Sequence, residues 1–287
     1  MNSDLFTRQP TAEQIRNFLA TRGETAANLV AAFEATQDFQ LLLRAEQLFP
    51  NNPMVLQALI VSGQEPEKFA ERIERFKAAD PKNPVPWIYS AQSLFKASDP
   101  AAARTEIETA LSLPGFYVYT NERTASARAL YESMGWSPLE AEIRSVFGLP
   151  VPQMQAAQTA GRGLMELQKA ATDGGDQAQS EQLLRLTYGL GKMFSTPEAS
   201  RFLIGQLVGY SLESKALQAM PPDQKLPGGA TAAERLAEMD RDKKERVALT
   251  QGSEAALGGD PALTLEYLRH VRQDGETSAL RWLGGRK

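Results

Sequence analysis

A single histidine, His270, limits the proton-transfer and metal chemistry open to this sequence. Metal sites with two imidazoles and zinc sites with thiolates are excluded, because the chain has no second histidine and no cysteine. Glu266 stands four residues before His270 on the same face of a predicted helix, where it could orient the ring as a general base. Because no nucleophile motif accompanies the pair, we interpret it as two neighbours on a helix surface.

Two other spacings match the first half of a catalytic motif. Ser93 and Lys96 have the serine-x-x-lysine spacing that brings an amine near a hydroxyl, but the partner lysine-threonine-glycine motif is missing. Gly209, Tyr210 and Ser211 begin like a nucleophile elbow, without the second glycine that its sharp turn needs. The sequence therefore predicts no catalytic residue and a protein that is not an enzyme. Carboxylates far apart in sequence leave no local pattern, so that alternative stays open.

Glycine pairs do not form a nucleotide-binding loop in this sequence. The segments 161–163 and 189–191 each contain two glycines, but neither follows a predicted strand or ends in the lysine-serine of a phosphate loop. Gly205 and Gly209, four residues apart, are expected to let another helix approach closely. No acidic spacing of a calcium loop occurs either. The sequence predicts neither a cofactor nor a metal ion.

Composition is typical of a soluble globular protein. Of the 287 residues, 42% are hydrophobic and 23% are charged, which is enough apolar material for one large core or two smaller ones. The net charge is −4 and the isoelectric point about 5.4, so the overall field does not favour nucleic acid as a partner.

Neither a leader nor a membrane span is predicted. Met1–Pro10 lacks the apolar core of a signal peptide. The most apolar run, 202–212, is much shorter than the ~20 residues that cross a bilayer. The compartment stays open: we expect the cytoplasm if this N-terminus is native, and the periplasm or exterior if a signal peptide has been removed.

Helix start signals are frequent, whereas the only strand-like pattern is Phe116–Tyr119. Capping boxes, in which a hydroxyl and a later carboxylate or amide bond each other's backbone N–H, are predicted at Thr11, Ser137 and Thr231. Asp99 and Asp260 each precede a proline, as capping residues often do. These signals predict an all-α protein.

Four prolines indicate a repeated helical unit. Pro50, Pro81, Pro114 and Pro150 each follow an apolar, helix-like segment, and they are separated by 31, 33 and 36 residues. A recurrence of this length is typical of helix pairs that bury their apolar faces by stacking on their neighbours.

Residues 84–114 carry the clearest unit. Its first predicted helix has a large, a small and a bulky residue at the repeat positions, and its second has small and apolar residues before a closing proline. These residues are Trp87, Ala91 and Leu94, then Ala103, Ile107 and Ala110, and finally Pro114. This pattern resembles the tetratricopeptide repeat family. The resemblance implies an all-α, right-handed α-solenoid of antiparallel helix pairs, and it extends in less regular form to residues 24–50, 53–81 and 115–150.

The resulting domain prediction has four parts. Residues 1–150 form the tetratricopeptide-like repeats, and 151–220 form either further helix pairs or a capping bundle. Residues 221–230 are a linker because their three prolines and two glycines cannot hold a helix. Residues 231–287 form a charged helical extension, loosely joined at Leu257–Gly259.

The resemblance also implies a binding surface, because first helices of such repeats line a concave groove. The residues expected to contact a partner on this groove or at its aromatic edge are Val85, Ile88, Tyr89, Gln92, Phe95, Lys96, Tyr117 and Tyr119. The lysine and asparagine clamp that holds acidic tails in this family is missing, which favours an apolar or amphipathic peptide. Alternatively, Ile88 and Phe95 are core residues, and Phe116–Tyr119 fills a joint between repeats.

We therefore expect a non-catalytic interaction module or scaffold that binds a protein or peptide on its concave surface. Two alternatives stay open. One is a small-ligand receptor or enzyme with a pocket within residues 151–220; the other is a structural subunit of a larger assembly. Neither the partner nor the oligomeric state follows from the sequence.

Overall fold

A computed structural model describes residues 8–257 and 259–286. In this part of the chain α-helices alternate with turns, and the only other regular elements are a 3₁₀ turn at Pro66–Lys68 and an isolated bridge between Lys225 and Thr231. The predicted all-α class is confirmed. Most of Met1–Pro10 and the centre of the predicted joint at Leu257–Gly259 fall outside the described residues.

The helices group into two compact units that do not follow chain order. The first unit contains α1 (Ala12–Arg22), α2 (Ala26–Thr36), α3 (Phe39–Leu48), α4 (Pro53–Ser62), α5 (Phe69–Ala79), α8 (Thr120–Ser133), α9 (Pro138–Phe147) and most of α14 (Pro261–Asp274). The second contains α6 (Val85–Lys96), α7 (Pro100–Ser112), α10 (Pro152–Asp173), α11 (Gln177–Met193), α12 (Leu203–Ala219), α13 (Ala232–Leu257) and α15 (Glu276–Gly284).

Helix α2 is the centre of the first unit. It packs on α1, α3, α4 and α8, and most of its residues are buried. Phe18 of α1 and Leu130 of α8 belong to the cluster on one side, and Leu42 of α3 and Val55 of α4 to the cluster on the other. Such a helix, apolar on nearly all faces, stabilises a unit through the area that it removes from water.

The second unit is built around α10, α11 and α12. Helix α10 packs on α6, α7, α11 and α12, and α13 packs on α12 and α15. The residues of the helix pair α6 and α7 at the repeat positions Ala91, Ala103, Ile107 and Ala110 are fully buried. Trp87 and Leu94, the large and bulky positions of the same pattern, are only half-buried, so the pair has part of the inward-facing set that the sequence pattern predicts.

Local start signals place several helices where the sequence predicts them. The capping boxes at Thr11, Ser137 and Thr231 form, with both reciprocal hydrogen bonds in each. Asp99 and Asp260 accept hydrogen bonds from the first-turn N–H groups of α7 and α14. These bonds join residues at most three apart, so the sequence pattern alone determines them.

Helix α12 begins later than its apolar pattern indicates. The sequence suggests a helix from about residue 197, but 197–202 form turns and α12 begins at Leu203. The carboxylate of Glu276, at the start of α15, accepts from the Leu203 N–H at 2.8 Å. The start of this helix is thus capped by a side chain 73 residues away.

Residues 221–230 contain no helix, as their prolines and glycines predict, but they form a compact turn. The Leu226 N–H donates to the Ala230 carbonyl at 2.9 Å. Leu226 is buried in a cluster with Leu184, Met220 and Met239. This segment therefore packs its own apolar side chain against α11 and α13.

Glycines let α11 and α12 approach closely. A Cβ atom on Gly191 would lie 2.8 Å from the Gly209 carbonyl oxygen and 2.7 Å from the Glu213 nitrogen. Because both atoms belong to the backbone, only glycine fits. The expectation that Gly209 serves a close helix approach is confirmed.

No helix in the described part of the chain is long and apolar enough to cross a bilayer.

We expect Gly191→Ala to lower the free energy of unfolding by about 1–3 kcal/mol, because the added methyl pushes α11 and α12 apart. Gly252→Ala is the control, since Gly252 lies in α13 with no atom within 4 Å of an added Cβ. That change should raise stability by about 0.5–1 kcal/mol through helix propensity. Urea unfolding measures both; equal effects would contradict the close approach.

The cap on α12 predicts a pH dependence. Burial raises the pKa of Glu276, against the opposing effect of the Leu203 N–H bond. The folded state therefore holds this proton more tightly than the unfolded chain, and ionisation costs stability as pH rises from about 4.3 through the raised value. Glu276→Gln keeps an oxygen acceptor without the charge.

Urea unfolding across that pH range should show Glu276→Gln gaining free energy of unfolding relative to the native protein as pH rises. Glu276→Ala, which removes the acceptor, should be less stable than Glu276→Gln by about 1 kcal/mol at every pH. A difference between Gln and Glu that does not change with pH would contradict the buried, proton-holding carboxyl.

Candidate functional site

The residues predicted to bind a partner on α6 are mostly part of its packing. Val85, Ile88 and Tyr89 are buried, and the Phe95 ring packs against Gly163 of α10. A partner cannot reach the first three in this structure, so their burial favours the alternative that they are core residues. Two further predicted residues, the half-buried Gln92 and the exposed Lys96, keep surface on the same helix.

The Phe116–Tyr119 segment alternates between buried and exposed side chains without forming a strand. Phe116 and Val118 are buried, and the Phe116 ring meets Phe194 edge-on at 5.2 Å. Tyr117 is 49% exposed. The Tyr119 hydroxyl donates to Asp80 at 2.7 Å, within the first unit. Of the two predicted tyrosines, only Tyr117 offers a large free surface.

A cleft between α12 and α13, within the second unit, is a concave site of the described chain. Tyr210 of α12 lies at its centre: its hydroxyl donates to Asp242 of α13 at 2.6 Å. The guanidinium of Arg246, one turn further along α13, lies 3.9 Å from the centre of the Tyr210 ring, in cation–π geometry. Tyr210 and Arg246 line both parts of this cleft, a polar cavity and an apolar groove.

The polar cavity has a volume of about 300 Å³. Its lining includes the carboxylates of Glu213, Asp242 and Glu245, and the guanidiniums of Arg246 and Arg281. The Arg281 guanidinium pairs with Glu245 at 3.0 Å, and Asp242 accepts from Tyr210. The cavity is therefore polar, with its carboxylates engaged in internal bonds.

A buried ion pair anchors α13 to α12 beside this cavity. Glu213 of α12 is 1% exposed, and Arg235 of α13 donates to it from two nitrogens, at 3.1 and 2.9 Å. Burial acts to lower the pKa of Arg235, but hydrogen bonds to Glu238 and Glu213 and the charge of Glu213 together raise it above its usual value. Both nitrogens donate to one oxygen, Glu213 Oε2, and these two charge-assisted bonds hold the guanidinium against the carboxylate.

The tyrosine at the centre acts as a hydrogen-bond donor. Burial and the hydrogen bond to Asp242 raise the pKa of Tyr210, and the nearby Arg246 only partly opposes them. Tyr210 is therefore neutral at physiological pH. It keeps its proton and donates it in the hydrogen bond to Asp242. This arrangement holds the two helices in register, with Tyr210 as the donor and the Asp242 carboxylate as the acceptor.

The apolar groove shares Tyr210 and Arg246 with the polar cavity and has a volume of about 430 Å³. Leu207 of α12 and Leu236 and Met239 of α13 form its apolar part. Leu207 is 53% exposed, and Ile204, one turn earlier, is 49% exposed. Large apolar side chains this exposed on adjacent turns mark a surface that a ligand or partner can cover.

The spacing of the groove residues follows from two helical faces. Leu207, Ser211, Ser214 and Gln218 recur every three or four residues on α12, as do Leu236, Met239, Lys243 and Arg246 on α13. Residues at this spacing lie on one side of a helix. The groove is therefore the seam between two adjacent faces, open to solvent along about three turns.

Metal chemistry has no local support in the described residues, where no three His, Cys, Asp or Glu side chains lie close enough to hold an ion. His270 is half-buried on α14 and belongs to the first unit, whereas the cleft belongs to the second. The cleft therefore suits binding through shape, apolar contact and charge.

Few sequence patterns predict this site. Gly209, Tyr210 and Ser211 match an incomplete nucleophile motif, and Asp242 and Arg246 are expected to support α13 as a helical pair. In the structure both side chains meet Tyr210 instead. Tyr210 and Asp242 are 32 positions apart, and no sequence pattern predicts their contact.

Removing one member of the buried ion pair should be costly. Arg235→Ala leaves the Glu213 carboxylate buried without its counter-charge, so we expect a loss of about 3 kcal/mol in the free energy of unfolding. Lys244→Ala breaks the exposed pair with Asp240 on the same helix and should cost less than about 1 kcal/mol. Similar losses in urea unfolding would show that the buried pair does not anchor α13.

Comparison with protein-family models, with curated proteins and with solved structures found no match for this chain. A proposal for the function therefore depends on the geometry of the cleft.

Proposed function

We propose that this protein is a non-catalytic interaction module that binds a segment of a protein partner in the apolar groove between α12 and α13. The observation that carries the proposal is Leu207, which lines the groove and is 53% exposed on α12, with the exposed Ile204 one turn earlier. Leaving such a side chain in water forgoes the free energy that its burial would supply. A partner that covers it recovers that free energy.

A role in binding is also supported by the way the charges are used. Glu213, Glu245 and Asp242 are each engaged by Arg235, Arg281 or Tyr210. Carboxylates held in this way position helices, whereas catalysis requires a group free to exchange a proton with a substrate. The proposal therefore assigns the cleft to recognition.

The proposal keeps the helical-repeat expectation for one pair of helices. We infer that α6 and α7 form a tetratricopeptide-like pair within a solenoid of antiparallel pairs. The support is the burial of Ala91, Ala103, Ile107 and Ala110 at the repeat spacing, together with the packing of α6 and α7 on α10 and α11. The sequence predicts a binding surface on α6, but Val85, Ile88 and Tyr89 of that helix are buried. We therefore propose the exposed face of α12 as the binding surface instead.

A small-ligand receptor is the second candidate, favoured by one observation. The polar cavity beside Tyr210 combines hydroxyl, amide and charged groups in about 300 Å³, the lower end of the size range of ligand pockets. A bound ligand would have to compete with the Glu245–Arg281 and Tyr210–Asp242 bonds. The apolar groove requires no such exchange, so we place it first.

Affinity capture from source-cell lysate, read by mass spectrometry, tests the interaction module. We expect the native protein to retain a partner that Leu207→Asp loses by at least tenfold, because a carboxylate in the groove must be desolvated on binding. Leu48→Asp is the control: Leu48 is 38% exposed on α3 and does not line the groove. Equal capture by all three proteins, each with an unchanged circular dichroism spectrum, would contradict the proposed groove.

A further inference from the structure

Two positive charges on α13 face the apolar groove. Lys243 and Arg246, three residues apart, both line it. Among the described residues, neither lies within salt-bridge distance of a carboxylate; Arg246 stacks on Tyr210, and Lys243 is exposed. Asp240, the acidic residue of the groove, is paired with Lys244 at 2.7 Å. The groove thus has an apolar floor and two positive charges, Lys243 and Arg246, beside the single negative charge of Asp240.

The groove also has the length of a short helix. From Leu207 to Gln218 on α12, and from Leu236 to Arg246 on α13, it spans ten or eleven residues. At 1.5 Å per residue this is about 16 Å, or three helical turns. An amphipathic helix docks in a groove of this kind through apolar residues at i, i+3 or i+4, and i+7.

We propose that the partner segment is an acidic amphipathic helix. Its apolar residues pack on Leu207, Leu236 and Met239, and its Glu or Asp side chains pair with Lys243 and Arg246. This inference rests on the proposed function and names the chemistry of the partner. A second copy of the chain docking groove to groove would bring four positive charges together, so charge selects a different, acidic partner.

Two synthetic peptides test the inference. Both are 16 residues long, acetylated and amidated, with leucines at i, i+3, i+4 and i+7; all flanking positions are Glu in one and Lys in the other. Fluorescence anisotropy measures binding of each labelled peptide to the full chain at low and physiological salt. Because the protein's net charge is −4, unspecific attraction favours the Lys peptide, so a preference for the Glu peptide reports the groove.

We expect the Glu peptide to bind about three- to tenfold more tightly than the Lys peptide, with the difference shrinking as salt rises. The double variant Lys243→Glu/Arg246→Glu should reverse the preference, and Lys243→Glu alone, which leaves the Tyr210 stack intact, should reduce it. Arg241→Glu, on the same helix but outside the groove lining, is the matched control and should preserve it.

The outcomes separate this inference from the proposed function. Equal binding of the two peptides, or a preference unchanged in the double variant, overturns the acidic partner; if Leu207→Asp still abolishes binding of both, the groove remains the docking surface. Failure of both peptides to bind the native protein overturns the amphipathic-helix partner and the proposed docking of a segment in the groove together.

Discussion

The buried pair between Glu213 and Arg235 is the constraint on which the cleft depends. A carboxylate removed from water must be paired, and the Arg235 guanidinium supplies the partner with two bonds to Glu213 Oε2. This pairing fixes α13 against α12. Once that is set, Tyr210 reaches Asp242 and Arg246, and Tyr210 and Arg246 line both parts of the cleft.

Two further contacts hold α12 in place for this purpose. Gly191 lets α11 approach its backbone, and Glu276 caps its first turn from α15. Both contacts involve backbone atoms of α12, so the side chains that face the groove take no part in them. Leu207 can therefore remain exposed on a helix whose position is fixed elsewhere, which is the condition for a preorganised docking surface.

Much of the fold could be predicted from the sequence because its signals are local. The capping boxes at Thr11, Ser137 and Thr231 involve residues three apart, and the burial of Ala91 and Ile107 follows a helical period. The binding residues could not be predicted in the same way. Val85, Ile88 and Tyr89 show the pattern of one apolar helical face, and that pattern is the same for a core face and for a groove.

The sequence by itself therefore determined the all-α class, the capped starts of several helices and the absence of cysteine and multi-histidine chemistry, since these depend on composition and on contacts within one helical turn. Only the tertiary structure decided which apolar face is covered, where α12 begins, and that Tyr210 meets Asp242 and Arg246. Those outcomes depend on residues tens of positions apart. Burial and pairing between residues that far apart depend on how the helices pack. No local spacing of residues predicts that packing.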